Sequence, residues 1–280
     1  MQPNRRQILA LGAALPLLAA PARAAVSETP VDAGLLWRNL FADGPGQTFA
    51  WWFQGTMSAH VDRLREFPVA GLHAIMIART SVVSGGLAVD FRTIGCFSDL
   101  DSGQPTANWH NVFTDTAQDI PAFYAEGPGR YVLLPGADGP SLSLSSAATR
   151  TNRAVATGEI VHDRATLTQI EGTLQGFPQL GGALPAIGSP TITERQTRLQ
   201  IIAPRGLATG PIPVAEARGF FSHVYDALPD WMGFGETLGS GLSKGQMRKA
   251  DATTIVDATV WAYLKHHVPS AFAGDRLVLA

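Results

Sequence analysis

The feature that most constrains the fold of this chain is a series of short runs rich in β-branched and aromatic residues. Each run is bounded by Gly, Pro, Asp or Asn, and almost no helical periodicity separates one run from the next. Segments of this composition and length are typical of β-strands joined by turns. The pattern predicts strands at Thr48–Thr56, Val69–Thr80, Leu87–Ser98, Asn108–Thr114, Arg130–Leu134, Ala165–Glu171, Arg198–Ala203 and Val214–Val224.

Other segments depart from the β pattern. Phe177–Thr191 contains three Gly and three Pro without a period, which predicts a long loop or flap. A short helix is expected over Ala33–Leu40. Thr253–His267 has apolar residues at helical spacing, with Asp251 placed to cap its start and Pro269 just beyond its end. The sequence therefore predicts an antiparallel β-barrel, similar to those of lipocalins and calycins, or a β-sandwich, with a C-terminal helix.

The N-terminus has the features of an export signal. Arg5 and Arg6 precede the apolar run Ala10–Ala20, and Ala22–Ala24 forms a small-x-small cleavage site. The apolar run is shorter than the roughly 20 residues that a membrane-spanning helix needs. These features predict a twin-arginine signal peptide that is cleaved near Ala24 in the periplasm. A general secretory signal and an uncleaved anchor are the alternatives.

Removal of this signal changes the charge of the chain. Residues 1–24 hold three Arg and no acid, which leaves 18 of the 21 basic residues in 25–280 against 23 acidic ones, a net charge of −5. A surface of that sign repels nucleic acid. Cys96 is the single cysteine, so an intramolecular disulfide is impossible. With 45% apolar residues and no internal repeat, 25–280 is predicted to form one β-rich domain without a stable membrane anchor, and the twin-arginine translocase is an expected partner.

The stretch from Cys96 to Asn111 superficially resembles a calcium loop because it contains Asp99-x-Asp101-x-Gly103. A calcium-binding loop needs Gly at its sixth position and Glu at its twelfth. Here the Gly comes one place early and His110 takes the twelfth position. The stretch instead indicates a strand–turn–strand, in which Trp109 and Asn111 share one face and either line a cavity or brace the hairpin.

A G-x-S-x-G motif and the histidines give at most weak support for a hydrolase and for a metal site. Gly241–Gly245 fits the G-x-S-x-G motif of hydrolases, but the Gly-rich run before it does not indicate a strand, and the acid and His that follow are too close in sequence. None of the seven His residues shows a metal-ligand spacing. A metal site assembled from distant strands stays open as an alternative.

A set of aromatic, glycine and polar residues occurs in a recognisable order along the chain. The set is Trp52, Gly55, Gly71, Arg79, Arg92-x-x-Gly95-x-Phe97-x-Asp99-x-x-Ser102-Gly103, Trp109-x-Asn111-x-x-Thr114 and Pro229-Asp230-Trp231-Met232. These motifs resemble the DUF1838 family, a group of uncharacterised bacterial proteins that are often exported with twin-arginine signals. The resemblance would cover most of the chain after the signal and is densest from Arg92 to Thr114, although the usual Asn-Pro after the Trp is here Asn111-Val112. It implies a predominantly β fold, and it brings no established reaction, cofactor or catalytic residue.

Aromatic residues that alternate with polar ones on predicted strands indicate a ligand cavity. His223 alternates with Phe221 and Tyr225, so these three side chains are expected to face one side, where His223 and Tyr225 could form an acid–base pair. We therefore expect an exported β-barrel protein that binds a small apolar or aromatic molecule. The predicted catalytic residues are Arg92, Asp99, His223 and Tyr225, and the predicted ligand-binding residues are Trp52, Trp109 and Asn111.

The expected chemistry is cofactor-independent acid–base catalysis of the isomerase, dehydratase or lyase type, with no metal. A carrier of a hydrophobic ligand in the periplasm is the first alternative, because it needs the same pocket without a proton-transfer pair. A metalloenzyme that is exported in its folded state is the second.

Overall fold

The computed structural model describes the greater part of the chain after residue 28. The described residues are 29–41, 48–61, 66–84, 86–135, 142–146, 154–161, 164–171, 174–175, 193–204, 217–225, 228–235, 237, 239–249 and 256–279. The predicted signal peptide, residues 1–24, and the predicted loop Phe177–Thr191 lie outside them.

The described residues form a mainly antiparallel β structure, as the sequence predicts. The strands predicted at Thr48–Thr56 and Val69–Thr80 are longer in the structure, because strand pairing continues through residues such as Ser58 and Ala59 that are neither β-branched nor aromatic. The strands are β1 Thr29–Val31, β2 Thr48–Val61, β3 Phe67–Val83, β4 Gly86–Ser98, β5 Asn108–Asn111, β6 Thr116–Asp119, β7 Tyr124–Pro135, β8 Leu142–Ser146, β9 Ala154–Val161, β10 Arg164–Glu171, β11 Leu174–Gln175, β12 Thr193–Pro204, β13 Ala217–Tyr225, β14 Gly239–Lys249, β15 Phe272–Ala273 and β16 Arg276–Leu277.

Twelve of these strands belong to one sheet. Its order is β1-β9-β10-β12-β13-β14-β2-β3-β4-β7-β8, with the short β11 beside β12. β8 pairs with β7 and also with β9, along 142–144 and 154–156. β5 with β6, and β15 with β16, form two separate hairpins.

Among the described residues, two α-helices accompany the sheet. α1, Ala33–Phe41, precedes β2 and packs its Leu36 and Leu40 into the apolar core. α2, Ala258–His267, is the predicted C-terminal helix, but it begins later than expected. Its N-cap is Asp257, whose carboxylate accepts the amide hydrogens of Thr259 and Val260, and not Asp251. An N-cap must lie one residue before the first helical turn, and that turn starts at Ala258.

The two faces of the sheet belong to different apolar clusters. We call the core face the side that carries Trp51, Phe53, Met76, Phe91, Phe221 and Met247; these residues and α1 belong to the larger apolar cluster or pack against it. We call the opposite side the helix face, where α2 covers a second cluster formed by Ile75, Ile77, Ile94 and Cys96. Because side chains alternate along each strand, neighbouring residues in the sequence take part in different clusters.

The Gly-rich run Gly233–Gly241 is not predicted to form a strand, but its last three residues, 239–241, are the start of β14. The sequence of β14, GSGLSKGQMRK, contains no β-branched or aromatic residue. Composition therefore does not predict a strand there. Gly245 lies directly opposite Gly55 of β2, and a Cβ on Gly245 would come within 2.1 Å of the Gln54 carbonyl oxygen. Glycine is therefore required there for the two strands to approach so closely.

Candidate functional site

The structure places the seven residues that the sequence singled out in three separate regions. The first region is the core face of β13, the second is the helix face below α2, and the third is the β4–β5 loop with the β5–β6 hairpin. In that order, they hold His223 and Tyr225; Trp52 and Arg92; and Asp99, Trp109 and Asn111.

His223 and Tyr225 lie on the core face, where β13 pairs with β14. His223 is directly opposite Ser243, and Tyr225 is opposite Gly241. The Tyr225 hydroxyl lies 3.4 Å from the Ser243 hydroxyl, and Ser243 is fully buried. The His223 ring is 5.4 Å from the ring of Phe221. The pattern of alternation along β13 thus brings together two of the predicted catalytic residues, and β14 adds a hydroxyl that sequence reasoning missed.

The core face is closed in one part and only partly buried in another. Trp51, Phe91 and Met247 are buried, as expected of a packed core. Six core-face side chains, which lie along the sheet from the level of Ala217 to that of Tyr225, are instead only partly buried. They are Phe53, Met76, Thr93, Tyr124, His223 and Tyr225. Apolar side chains with a few polar groups among them are the usual lining of a small-molecule site.

Tyr124 depends on a glycine for its position in this lining. Its hydroxyl donates a hydrogen bond to the backbone oxygen of His73, 3.2 Å away, and its ring crosses Gly95. A Cβ on Gly95 would come within 2.1 Å of that ring. Glycine is therefore required at position 95, which is one of the positions that resemble DUF1838, because a larger residue would collide with Tyr124.

The region that holds these partly buried side chains is covered at each end by a different segment. At one end, Phe41 of α1 packs against Trp51, and its carbonyl oxygen accepts a hydrogen bond from the Thr80 hydroxyl. At the other end, the short 3-10 helix Asp230–Met232 packs Trp231 against Phe97, with the ring centroids 4.9 Å apart. The partly buried residues therefore lie between two covered ends.

The 3-10 helix is held in place by the β5–β6 hairpin. The Trp109 indole donates to the Trp231 carbonyl at 3.1 Å, and the Asn111 amide donates to the Met232 carbonyl at 2.8 Å. The Asn111 side-chain oxygen accepts the backbone amide of Phe113 at 2.9 Å. Asn111 is fully buried, so its side chain braces the hairpin against the 3-10 helix.

Asp99 organises the turn that leads into this hairpin. Its carboxylate accepts hydrogen bonds from the backbone amide and the hydroxyl of Ser102, at 2.8 and 2.7 Å. These hydrogen bonds, the backbone one first, lower the pKa of the exposed Asp99 carboxyl. Gly103 has a φ of +68° and closes the turn by donating its amide to the Asp99 carbonyl. Asp99 thus contacts its own loop and lies apart from His223 and Tyr225.

Trp52 and Arg92 face away from the candidate site. Trp52 stacks on His73 with ring centroids 6.1 Å apart, and Arg92 donates to the backbone and side-chain oxygens of Ser270 at 3.1 and 3.3 Å. The Trp52–His73 contact joins β2 to β3, and the Arg92–Ser270 contacts connect the helix face to the C-terminal segment. Because β2 and β4 place these residues on the side opposite to His223, one pocket cannot contain all seven predicted residues.

His73 is a buried histidine on the helix face, directly opposite Cys96 of β4. It is only 6% exposed, and its Nε2 lies 3.2 Å from the Ser98 hydroxyl. Burial lowers the pKa of His73, and the nearby Asp257 carboxylate offsets part of that shift. On the adjacent strand, burial raises the pKa of the Cys96 thiol to about 12, which keeps the thiol protonated and unreactive.

The described residues contain neither a metal-binding cluster nor a membrane-spanning helix. No group of three or more His, Cys, Asp or Glu side chains in these ranges has the geometry of a metal site. Within the same ranges, neither helix is long and apolar enough to cross a membrane.

Asn111→Ala tests whether Asn111 braces the hairpin. The substitution leaves the Met232 carbonyl and the Phe113 amide without their partner, so we expect the free energy of unfolding to fall by about 1–3 kcal/mol. Chemical denaturation measures this, with the exposed Asn108→Ala as the matched control. A loss for Asn111→Ala no greater than that for Asn108→Ala would contradict the bracing role.

His73 generates a prediction about pH. A histidine whose pKa is lowered by folding binds fewer protons in the folded state, so its contribution to stability is complete above the ordinary value of about 6.5 and is lost as the pH falls below it. We expect the free energy of unfolding of the wild type to decrease between about pH 6.5 and 5 more steeply than that of His73→Gln. The exposed His60→Gln is the control, and equal slopes for wild type and His73→Gln would exclude the effect.

No protein-family model matches the chain, and no curated protein is similar to it at a significant level. Membership of the DUF1838 family therefore stays a prediction from the sequence motifs.

Proposed function

We propose that the protein is exported and folds into a β-barrel that binds a small apolar or aromatic molecule between its covered ends, where His223 and Tyr225 perform acid–base chemistry without a cofactor. The observation that carries the proposal is the set of partly buried core-face side chains to which these two residues belong. The DUF1838 membership, the twin-arginine route and the periplasmic location are parts of the same proposal.

The pairings of β8 and β9 support the barrel. β8 pairs with β7 at one end of the strand order and with β9 near the other end. A sheet whose two ends pair with each other encloses one of its faces. The enclosed face would be the core face, since this is the face that carries the larger apolar cluster.

The chemistry of the lining favours a largely apolar ligand with one polar group. Phe53, Met76 and Phe221 present rings and a thioether, which suit an aromatic or aliphatic body. The polar groups from β13 and β14 lie together, because Tyr225 and Ser243 share a hydroxyl–hydroxyl contact beside His223. Such grouping would orient one oxygen of the ligand toward a single side of the pocket.

His223 and Tyr225 suit the removal of a proton from the carbon of the ligand that is next to this oxygen. The His223 imidazole would accept the proton, and the Tyr225 hydroxyl would donate a hydrogen bond to the oxygen as negative charge develops on it. Return of the proton to another carbon gives isomerisation, and loss of a leaving group from the adjacent carbon gives dehydration or lyase cleavage. Ser243 would position Tyr225 through the 3.4 Å contact of their hydroxyls.

A carrier is the second candidate function. Ser243 is fully buried beside Tyr225, so their contact could also serve only to hold a ligand in a fixed orientation. The carrier and the enzyme differ in whether the bound molecule leaves chemically changed.

Filling the pocket tests the binding site. Thr93 is a partly buried core-face residue opposite Met76, so Thr93→Phe should occupy the space that a ligand needs. We expect the wild type to enhance the fluorescence of the apolar probe N-phenyl-1-naphthylamine, and Thr93→Phe to lose most of that enhancement. Ser222→Phe adds the same ring on the opposite face of β13 and should bind the probe normally. Equal probe binding by both variants would exclude the core-face site.

Acid–base catalysis is tested on the molecule that native mass spectrometry identifies in the purified protein. We expect the wild type to convert this molecule, and His223→Ala and Tyr225→Phe to bind it but convert it at least about a hundredfold more slowly. Phe220→Ala, outside the pocket on the same strand, is the control. If the wild type binds the molecule and leaves it unchanged, the protein is a carrier; conversion by His223→Ala at the wild-type rate would remove His223 from the mechanism.

A further inference from the structure

Two arginines face each other on the helix face, beyond the area that α2 covers. Arg218 of β13 is directly opposite Arg248 of β14, and both side chains are exposed. Directly opposite residues of an antiparallel pair have their Cβ atoms about 4.5–5.5 Å apart, so like charges at such positions repel each other. Neither guanidinium has an ion pair or a hydrogen bond with any part of the chain that the structure describes.

Apolar and amide side chains surround this pair. Ile202 of β12 is opposite Arg218, and Phe220 lies two residues along β13 on the same face. Ile202 is 41% exposed and Phe220 is 52% exposed, which is unusual for residues in the interior of a large sheet. Phe220 is flanked on its two sides by Gln200 and Gln246. We call these six residues the arginine surface.

The position of the arginine surface within the sheet limits what it can bind. β13 is paired on both sides, with β12 and β14, so its backbone offers no free edge to a partner strand. Recognition must therefore come from side chains. Two guanidinium groups side by side can share one carboxylate through charge-assisted hydrogen bonds, and an adjacent exposed ring can pack against an apolar side chain.

We propose that the arginine surface is a docking site for an acidic segment of another protein, in which a carboxylate binds Arg218 and Arg248 together and a neighbouring apolar side chain packs on Phe220 and Ile202. The carboxylate removes the repulsion between the two arginines. The Gln200 and Gln246 amides can both donate and accept hydrogen bonds, which matches the backbone of a peptide. The charge of this surface is also opposite to the net charge of −2 of the whole chain, so acidic partners would approach it in preference to other faces.

The proposal is tested with a fluorescein-labelled peptide of alternating glutamate and phenylalanine and the full chain, by fluorescence anisotropy. We expect the wild type to bind this peptide more tightly than a matching lysine–phenylalanine peptide. Arg218→Gln and Arg248→Gln should each weaken binding at least about tenfold, and the double variant should lose little more, because both side chains hold the same carboxylate. Phe220→Ser should also weaken binding.

The control is Arg276→Gln, which removes the same charge from an exposed arginine of β16. Thermal melting of each variant accompanies the binding measurement, and removal of either facing arginine should not lower the melting temperature, because their repulsion is relieved. The proposal is wrong if the wild type does not prefer the acidic peptide, or if Arg276→Gln weakens binding as much as Arg218→Gln. It is also wrong if polygalacturonate or phosphatidylglycerol vesicles bind this surface more tightly than the peptide.

Discussion

The backbone pairing of β14 with β13 and β2 is the interaction on which the rest of the structure depends. β14 is the strand that joins β9, β10, β12 and β13 on one side to β2, β3, β4 and β7 on the other. Gly245 and Gly55 meet at this junction, where a side chain on either would collide with the opposite backbone. The large sheet therefore depends on a strand with low β-propensity, whose small residues permit the close approach that larger ones would prevent.

The same junction builds the candidate site. Ser243 reaches the core face because it lies two residues before Gly245, and the register then sets it opposite His223 and near Tyr225. A shift of one residue in this pairing would turn Ser243 to the helix face and bring Lys244 inward. The close glycine contact thus fixes the register, and the register fixes which polar groups a ligand can meet.

Composition and alternation predicted the β class, the C-terminal helix and the shared face of Phe221, His223 and Tyr225, because these depend on local sequence. They could not predict β14, whose place in the sheet is decided by long-range pairing rather than by its own propensity. They also could not predict that the Asn111 side chain donates a hydrogen bond to the carbonyl oxygen of Met232, 121 residues away in the sequence. The polar residues that the sequence singled out for chemistry thus include some that lie on the partly buried core face, such as His223 and Tyr225, and others, such as Asn111, that hydrogen-bond to backbone groups.

The helix face shows how a lone cysteine can be compatible with the oxidising compartment that we propose. Cys96 lies in the cluster covered by α2, and burial raises its thiol pKa to about 12. Disulfide exchange requires a thiolate that other thiols or disulfides can reach. Burial keeps the Cys96 thiol protonated and out of their reach. α2 is held over the cluster by Val260 and Leu264 and, beyond its end, by the Arg92–Ser270 hydrogen bonds. Arg92 therefore acts at a distance from the candidate site, by fixing the segment that keeps the thiol protonated and enclosed.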